Sequence, residues 1–272
     1  MTAVLATDAL APLAGLLERT YDGAYPAGLR LDRTPGAPWR GGGELADGDR
    51  LEAVVATVMR RYGATRHVAA ALLWKTYTYR VVAPVVLGWA LNRRVPLATA
   101  DDTVVRPGPA DNRLSIALVD PAVAVLPGDD LAGTPGTRTV ADHDALLREA
   151  GEAVLTRHLL PVLATMIARC KIGQRPLWGS VAEAVAHPLL IAAPRTPGGL
   201  ADTGPVALRT PAGRMAAART LLDGLGHGLG ELLDLTPAAD GTPYRRRTCC
   251  LAFALPQYDY CKTCCVPASF EP

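Results

Sequence analysis

Between Asp49 and Gly63 the apolar residues Leu51, Val54, Val55 and Val58 recur at the spacing of one helix face. Asp49 and Glu52 form a start signal and Gly63 a stop. A second helix is expected from about Thr65, carrying Val68, Leu72 and Leu73 inward and spreading Trp74, Tyr77 and Tyr79 around its far end. The longest apolar runs, Val81 to Leu91 and Leu159 to Ala168, contain Pro84 and Pro161, which predicts kinked core helices. Each run falls short of the roughly 20 residues that a spanning helix requires, so no transmembrane segment is expected.

From Thr103 to Leu126 the pattern shortens to β-branched and Leu runs, Leu114 to Val119 and Ala122 to Leu126, split by Asp120-Pro121, which predicts a hairpin. Thr139 and Asp142 open the longest helical pattern, through Leu146, Leu147, Val154, Leu155, Leu163 and Ile167 to the basic turn Arg169 and Lys171, with Gly173 after it. Ser180 and Glu183, at capping-box spacing just after Trp178, predict another helix start. Thr210-Pro211 predicts one more, with Leu221, Leu222 and Leu225 as its apolar face. The stretches Thr34 to Gly43 and Pro194 to Gly204 read as loops. Gly224, Gly226, Gly228 and Gly230 follow a helix instead of a strand, so they read as a helix break and not as a phosphate loop. The expected class is α+β: a mainly helical single domain with a small antiparallel sheet or hairpin.

Composition supports a packed core, since 49% of the 272 residues are hydrophobic. A net charge of +2 is too small for a general polyanion binder, so no nucleic-acid partner is expected. Met1 to Ala14 lacks a basic n-region and carries Asp8, which does not read as a secretory signal. The cytoplasm is therefore the expected compartment, with peripheral membrane contact left open. A sharp change near Gly241 divides the chain into residues 1–240, mainly helical, and 241–272, a segment that holds five of the six cysteines.

That segment reads Arg245-Arg246-Arg247-Thr248-Cys249-Cys250, ten residues, Cys261-Lys262-Thr263-Cys264, then Cys265. Persistent disulfides are not expected in the cytosol, which leaves metal binding, redox exchange or chance. Zinc ribbons usually present two Cys-x2-Cys knuckles, whereas one half here is an adjacent pair. A thioredoxin-like dithiol would need a βαβ context that the flanking pattern lacks. On spacing alone an iron–sulfur cluster, a structural zinc and a thiol pair all remain open.

The arrangement Arg-Arg-x-Cys-Cys-x10-Cys-x2-Cys resembles the FhuF-like family of siderophore-iron reductases, and Leu177-Trp178-Gly179-Ser180 before an Ala-rich helix is also similar to it. The resemblance implies a [2Fe–2S] cluster on Cys249, Cys250, Cys261 and Cys264, with Cys265 outside the ligand pattern. It further implies cytoplasmic reduction of ferric hydroxamate-type siderophores. With no flavin or nicotinamide fingerprint in the chain, a ferredoxin- or flavodoxin-like protein is the expected electron donor. A zinc-stabilised or cluster-bearing siderophore-binding protein without reductase activity is the alternative.

Around such a centre Arg245, Arg246, Arg247 and Lys262 are candidates for tuning the potential or docking the donor, because positive charge stabilises an anionic cluster. Trp74, Lys75, Tyr77, Arg175 and Trp178 mix flat apolar surface with hydrogen-bond donors and are candidates for contact with a bulky chelate. His67, His143, His158, His187 and His227 show no metal-ligand spacing and are assigned no catalytic role. Cys170, at the end of an amphipathic helix, reads as an inert thiol.

Overall fold

The computed structural model describes residues 10–21, 39–107, 114–119 and 121–265. Asp8, Thr34 and Asp120, on which the readings of the N-terminus, the first loop and the hairpin turn partly rest, lie outside the described residues. The fold is a mainly helical α+β single domain.

Helix α1 (Ala11–Tyr21) is followed by α2 (Gly48–Tyr62), whose cap is Asp47. The Asp47 carboxylate accepts from the amides of Asp49 and Arg50, both at 3.0 Å, and Gly63 closes the helix at φ 62°. Helix α3 (Arg66–Asn92) runs for 27 residues and joins two features that the pattern separates, the aromatic turn and the Pro84 run. Trp74 and Tyr77 therefore sit in mid-helix at 0% exposure.

The expected hairpin between Leu114–Val119 and Ala122–Leu126 does not form. Strand β3 (Thr103–Pro107) pairs instead with β4 (Leu114–Leu118), in antiparallel order after the short β1 (Arg40–Gly41). Strand β5 (Val123–Val125) joins a second sheet, antiparallel to β2 (Val95–Pro96) and parallel to β6 (Thr137–Thr139). The reason is burial on both faces: β5 is buried throughout and β4 nearly so, and strands without polar alternation carry no local register signal. Thr139 consequently belongs to β6 and not to the helix after it.

Asp142 caps that helix, accepting from the Ala145 amide at 2.7 Å. It is continuous from His143 to Cys170, as α4 (His143–Gly151), a π-helical stretch (Glu152–Leu159) and α5 (Leu160–Cys170). The wide turn lies just ahead of Pro161, where the Leu160 amide reaches back to the Leu155 carbonyl. By length and composition this is the one helix among the described residues able to cross a membrane, and half of its most apolar window is buried inside the protein. Helix α6 (Gln174–His187), the one-turn α7 (Leu200–Thr203) and α8 (Pro211–Gly224) follow, with the Thr210 hydroxyl accepting from the Gly213 amide at the start of α8. The glycine run after α8 is a helix break: Gly226 and Gly228 take φ 89° and 65°.

In the cysteine-bearing segment, Tyr244 (0% exposed) and Leu255 join the same apolar cluster as α3 and α6. His158, on the π-helical stretch, is fully buried; its Nδ1 donates to the Ala98 carbonyl at 2.9 Å and its Nε2 accepts from the Tyr77 hydroxyl. Burial pulls its pKa down to about 4. Between the unfolded value near 6.5 and that folded value the unfolded chain binds a proton that the native state refuses, so stability falls as pH falls through this window. His158 alone accounts for a loss of about 3 kcal/mol. Urea midpoints measured from pH 7 down to pH 4 should drop, and a flat profile would contradict this placement of the ring.

A candidate cysteine site beside a buried ion pair

The site is assembled on three elements. Strand β7 (Leu233–Asp234) pairs antiparallel with β8 (Arg245–Arg246), and the Arg247 amide extends that ladder to the Leu232 carbonyl at 2.9 Å. The Cys261–Cys264 turn closes with a 2.9 Å bond from the Cys264 amide to the Cys261 carbonyl. It is laid on β8 by the Arg246 amide, which donates to the Thr263 carbonyl at 2.9 Å. Both halves of the cysteine pattern are thus held together by backbone bonds.

Cys250 and Cys264 are buried, Cys249 and Cys261 half-buried, and Cys265 exposed. Leu251 takes a left-handed backbone at φ 61°, which turns its amide toward the Cys249 sulfur at 3.3 Å. The Cys250 thiol is drawn well below its ordinary value, first by the hydrogen bond from Cys261 and then by Lys75 and Arg246. That same bond, with burial, pushes Cys261 up, so one of the two ionises at the other's expense.

The three consecutive arginines separate by strand alternation. Arg246 points inward, its side chain fully buried against Glu183 and Ser180 of α6. Arg245 pairs at 2.7 Å with Asp240 at the surface, and Arg247 is exposed, reaching the Glu231 carbonyl at 3.4 Å. Lys262 is exposed as well. Only Arg246 is therefore placed as a buried charge next to the thiols.

Glu183 is the residue that the pattern mistakes. Ser180 and Glu183 do not cap a helix: α6 begins at Gln174, because Pro176 lies in its first turn, where the missing N–H costs nothing. Both residues are mid-helix, and the Ser180 hydroxyl donates to the Pro176 carbonyl at 3.3 Å while accepting from Arg246 at 3.2 Å. Glu183 is 2% exposed and meets Arg246, Lys75 at 3.5 Å and the Thr263 hydroxyl at 2.8 Å. Burial alone would raise its pKa; the two cations and the hydrogen bonds outweigh that and hold it below the ordinary value. A lone carboxylate within Val181-Ala182-Glu183-Ala184-Val185-Ala186 is the signal that marks it, since a helix apolar all round must supply any charge with a partner.

The residues read as substrate contacts divide differently. Lys75 stands at the site, its Nζ 3.9 Å from the Cys250 sulfur. Trp74, Tyr77 and Trp178 do not meet solvent to any useful extent: Trp74 ties α3 to α6, Tyr77 packs on His158 and Trp178 on His227. The Trp74 indole donates to the Leu177 carbonyl at 2.8 Å, and Trp178, 6% exposed, stacks on His227 with ring centres 4.6 Å apart. Aromatics of this size are drawn into a core by their area, which outweighs their polar handles once those are satisfied. Arg175 is exposed in the first turn of α6.

The donor set suits an anionic sulfur centre. Among the described residues no three His, Cys, Asp or Glu side chains are grouped to hold a metal ion. The Lys75 ammonium lies 3.9 Å from the Cys250 sulfur, however, and on the segment leading into Cys249 the buried Arg246 Nε has no hydrogen-bond partner. A cation and an unused donor near the thiols are what a cluster with negatively charged sulfurs requires around it.

No family of known proteins and no curated protein sequence matches the chain. Solved structures do. The chain is similar to the ATP-bound aerobactin synthetase IucA from a hypervirulent pathotype of Klebsiella pneumoniae, at 20% identity and TM-score 0.48, over 57% of this chain and 30% of that one. A second structure of the same synthetase matches at 22% identity and TM-score 0.44, over 51% of this chain and 26% of that one. The matched region thus spans less than a third of the synthetase.

Proposed function

We propose that this protein is a ferric-siderophore reductase in which Cys249, Cys250, Cys261 and Cys264 hold a [2Fe–2S] cluster. The observation that carries the reading is that the buried Arg246–Glu183 pair and the partly exposed Lys75 meet both cysteine arms, Lys75 at the Cys250 sulfur and Glu183 at Thr263. When bound, such a cluster supplies a low-potential one-electron carrier with no open iron position. Lys75 and Arg246 bring positive charge to the thiolates and favour added negative charge. Arg247 and Lys262, exposed on either cysteine arm, are free to meet an acidic ferredoxin- or flavodoxin-like donor. The substrate class is a ferric hydroxamate, whose hard oxygens hold ferric iron tightly and ferrous iron weakly, so one electron loosens the complex.

The test has two arms. Each of the single replacements Cys249→Ser, Cys250→Ser, Cys261→Ser and Cys264→Ser should abolish or badly destabilise iron and sulfide binding, whereas Cys265→Ser should retain it. The wild-type protein, reduced anaerobically and mixed with a ferric hydroxamate siderophore and a ferrous trap, should release about one ferrous ion per cluster. A loaded protein that stays reduced for hours with several ferric siderophores would overturn the reductase reading. A colourless protein with stoichiometric zinc would replace it with a binding role.

A further inference from the structure

We propose that Glu183 is a positioning residue that ties both cysteine arms to α6 and sets the charge they experience. The proposal rests on the cluster reading given above. One carboxylate spans the whole site: Oε1 accepts from Thr263, which lies between Cys261 and Cys264, and Oε2 accepts from Arg246, three residues before Cys249. The same Oε2 lies 3.5 Å from Lys75, which in turn reaches the Cys250 sulfur. No other side chain described here contacts both arms and the cation between them.

A charge set buried this deeply is a poor device for stability alone, since apolar side chains of like volume serve as well or better. Its net effect is electrostatic. Two cations and one carboxylate leave a single positive charge beneath the thiols. Removing the carboxylate raises that excess, and removing Lys75 cancels it. The two changes therefore act on an anionic centre with opposite sign, although both break the same ion pair.

The deciding experiment compares Glu183→Gln, which keeps the shape and an acceptor for Thr263, with Lys75→Met. Redox titration of the loaded proteins, followed by visible absorption, should move the potential upward in E183Q and downward in K75M. Shifts of the same sign, or none, would overturn the electrostatic role. Hydrogen exchange on the cluster-free Glu183→Ala protein supplies a readout that needs no bound group. Amides of 246–250 and 261–265 should exchange together, about tenfold faster or more, once the charged hydrogen bonds to both arms are lost. Faster exchange in one arm only would refute the tie, and Glu183→Leu, which removes both acceptors while filling the volume, serves for this measurement should E183A fail to fold. If no variant or wild type takes up a cluster, the function proposed above fails while the exchange result still judges the tie.

Discussion

Replacing Arg246 by Gln should lower the unfolding free energy by about 3–5 kcal/mol, the usual result of leaving a buried charge without its partner. Glu183 would keep Lys75 at 3.5 Å and Thr263 at 2.8 Å, which sets the expectation toward the lower end of that range. The neighbouring arginines provide the contrast. Arg245 is half-exposed with an exposed partner, Asp240, and Arg247 bonds a carbonyl at the surface, so Arg245→Gln and Arg247→Gln should each cost under about 1 kcal/mol. Urea unfolding of the three variants separates them. Recovery of most of the loss in a double replacement, Arg246→Met with Glu183→Met, would identify the stranded carboxylate as the cause. Three equal midpoints would show that the strand alternation assigned here is wrong.

Gly179→Ala should leave α6 helical and yet disable the cysteine site. A Cβ at this position would lie 1.8 Å from the Thr248 hydroxyl oxygen and 2.8 Å from its Cβ, so Thr248 as a whole must move. Thr248 immediately precedes Cys249, and the helix gains about 1 kcal/mol of intrinsic propensity from the same change. The expected result is an unchanged far-ultraviolet circular dichroism spectrum with most of the iron and sulfide lost after anaerobic reconstitution. Thr248→Gly in the same chain should restore binding in part by removing the obstructing side chain. Full iron loading of G179A alone would remove Gly179 from the site.

Much of the helical framework was legible along the chain. Caps are local chemistry: Asp142 and the Thr210-Pro211 pair start helices where the pattern places them, and Gly63 ends one. The Asp49 signal misses its cap by only two residues. Where local signals mislead, a second use of the same residue type is the cause. Ser180 and Glu183 have capping-box spacing because small hydroxyls and carboxylates also serve buried ion pairs, and nothing within four residues distinguishes the two uses. The lumped run Arg245-Arg246-Arg247 is similar: its residues are alike in composition but fall on opposite faces of a strand.

The strand pairing and the site's inner shell depend on contacts between distant parts of the chain. β4 and β5 are buried on both faces, so their sequences hold no alternation to fix a partner, and β3 and β2 are chosen by packing. Glu183 meets Arg246 across 63 positions and Thr263 across 80, while Lys75 reaches Cys250 across 175. The sequence by itself determined the helical class, the helix ends at Gly63, Asp142 and Thr210, and the clustering of cysteines, because each depends on side chains within a turn or two of one another. Only the tertiary structure decided that Lys75 and Arg246 lie with the thiols, that Trp74 and Tyr77 belong to the core, and that Glu183 joins both cysteine arms. Burial decides these outcomes, since a charge removed from water must find its counter-charge wherever the fold brings one within reach.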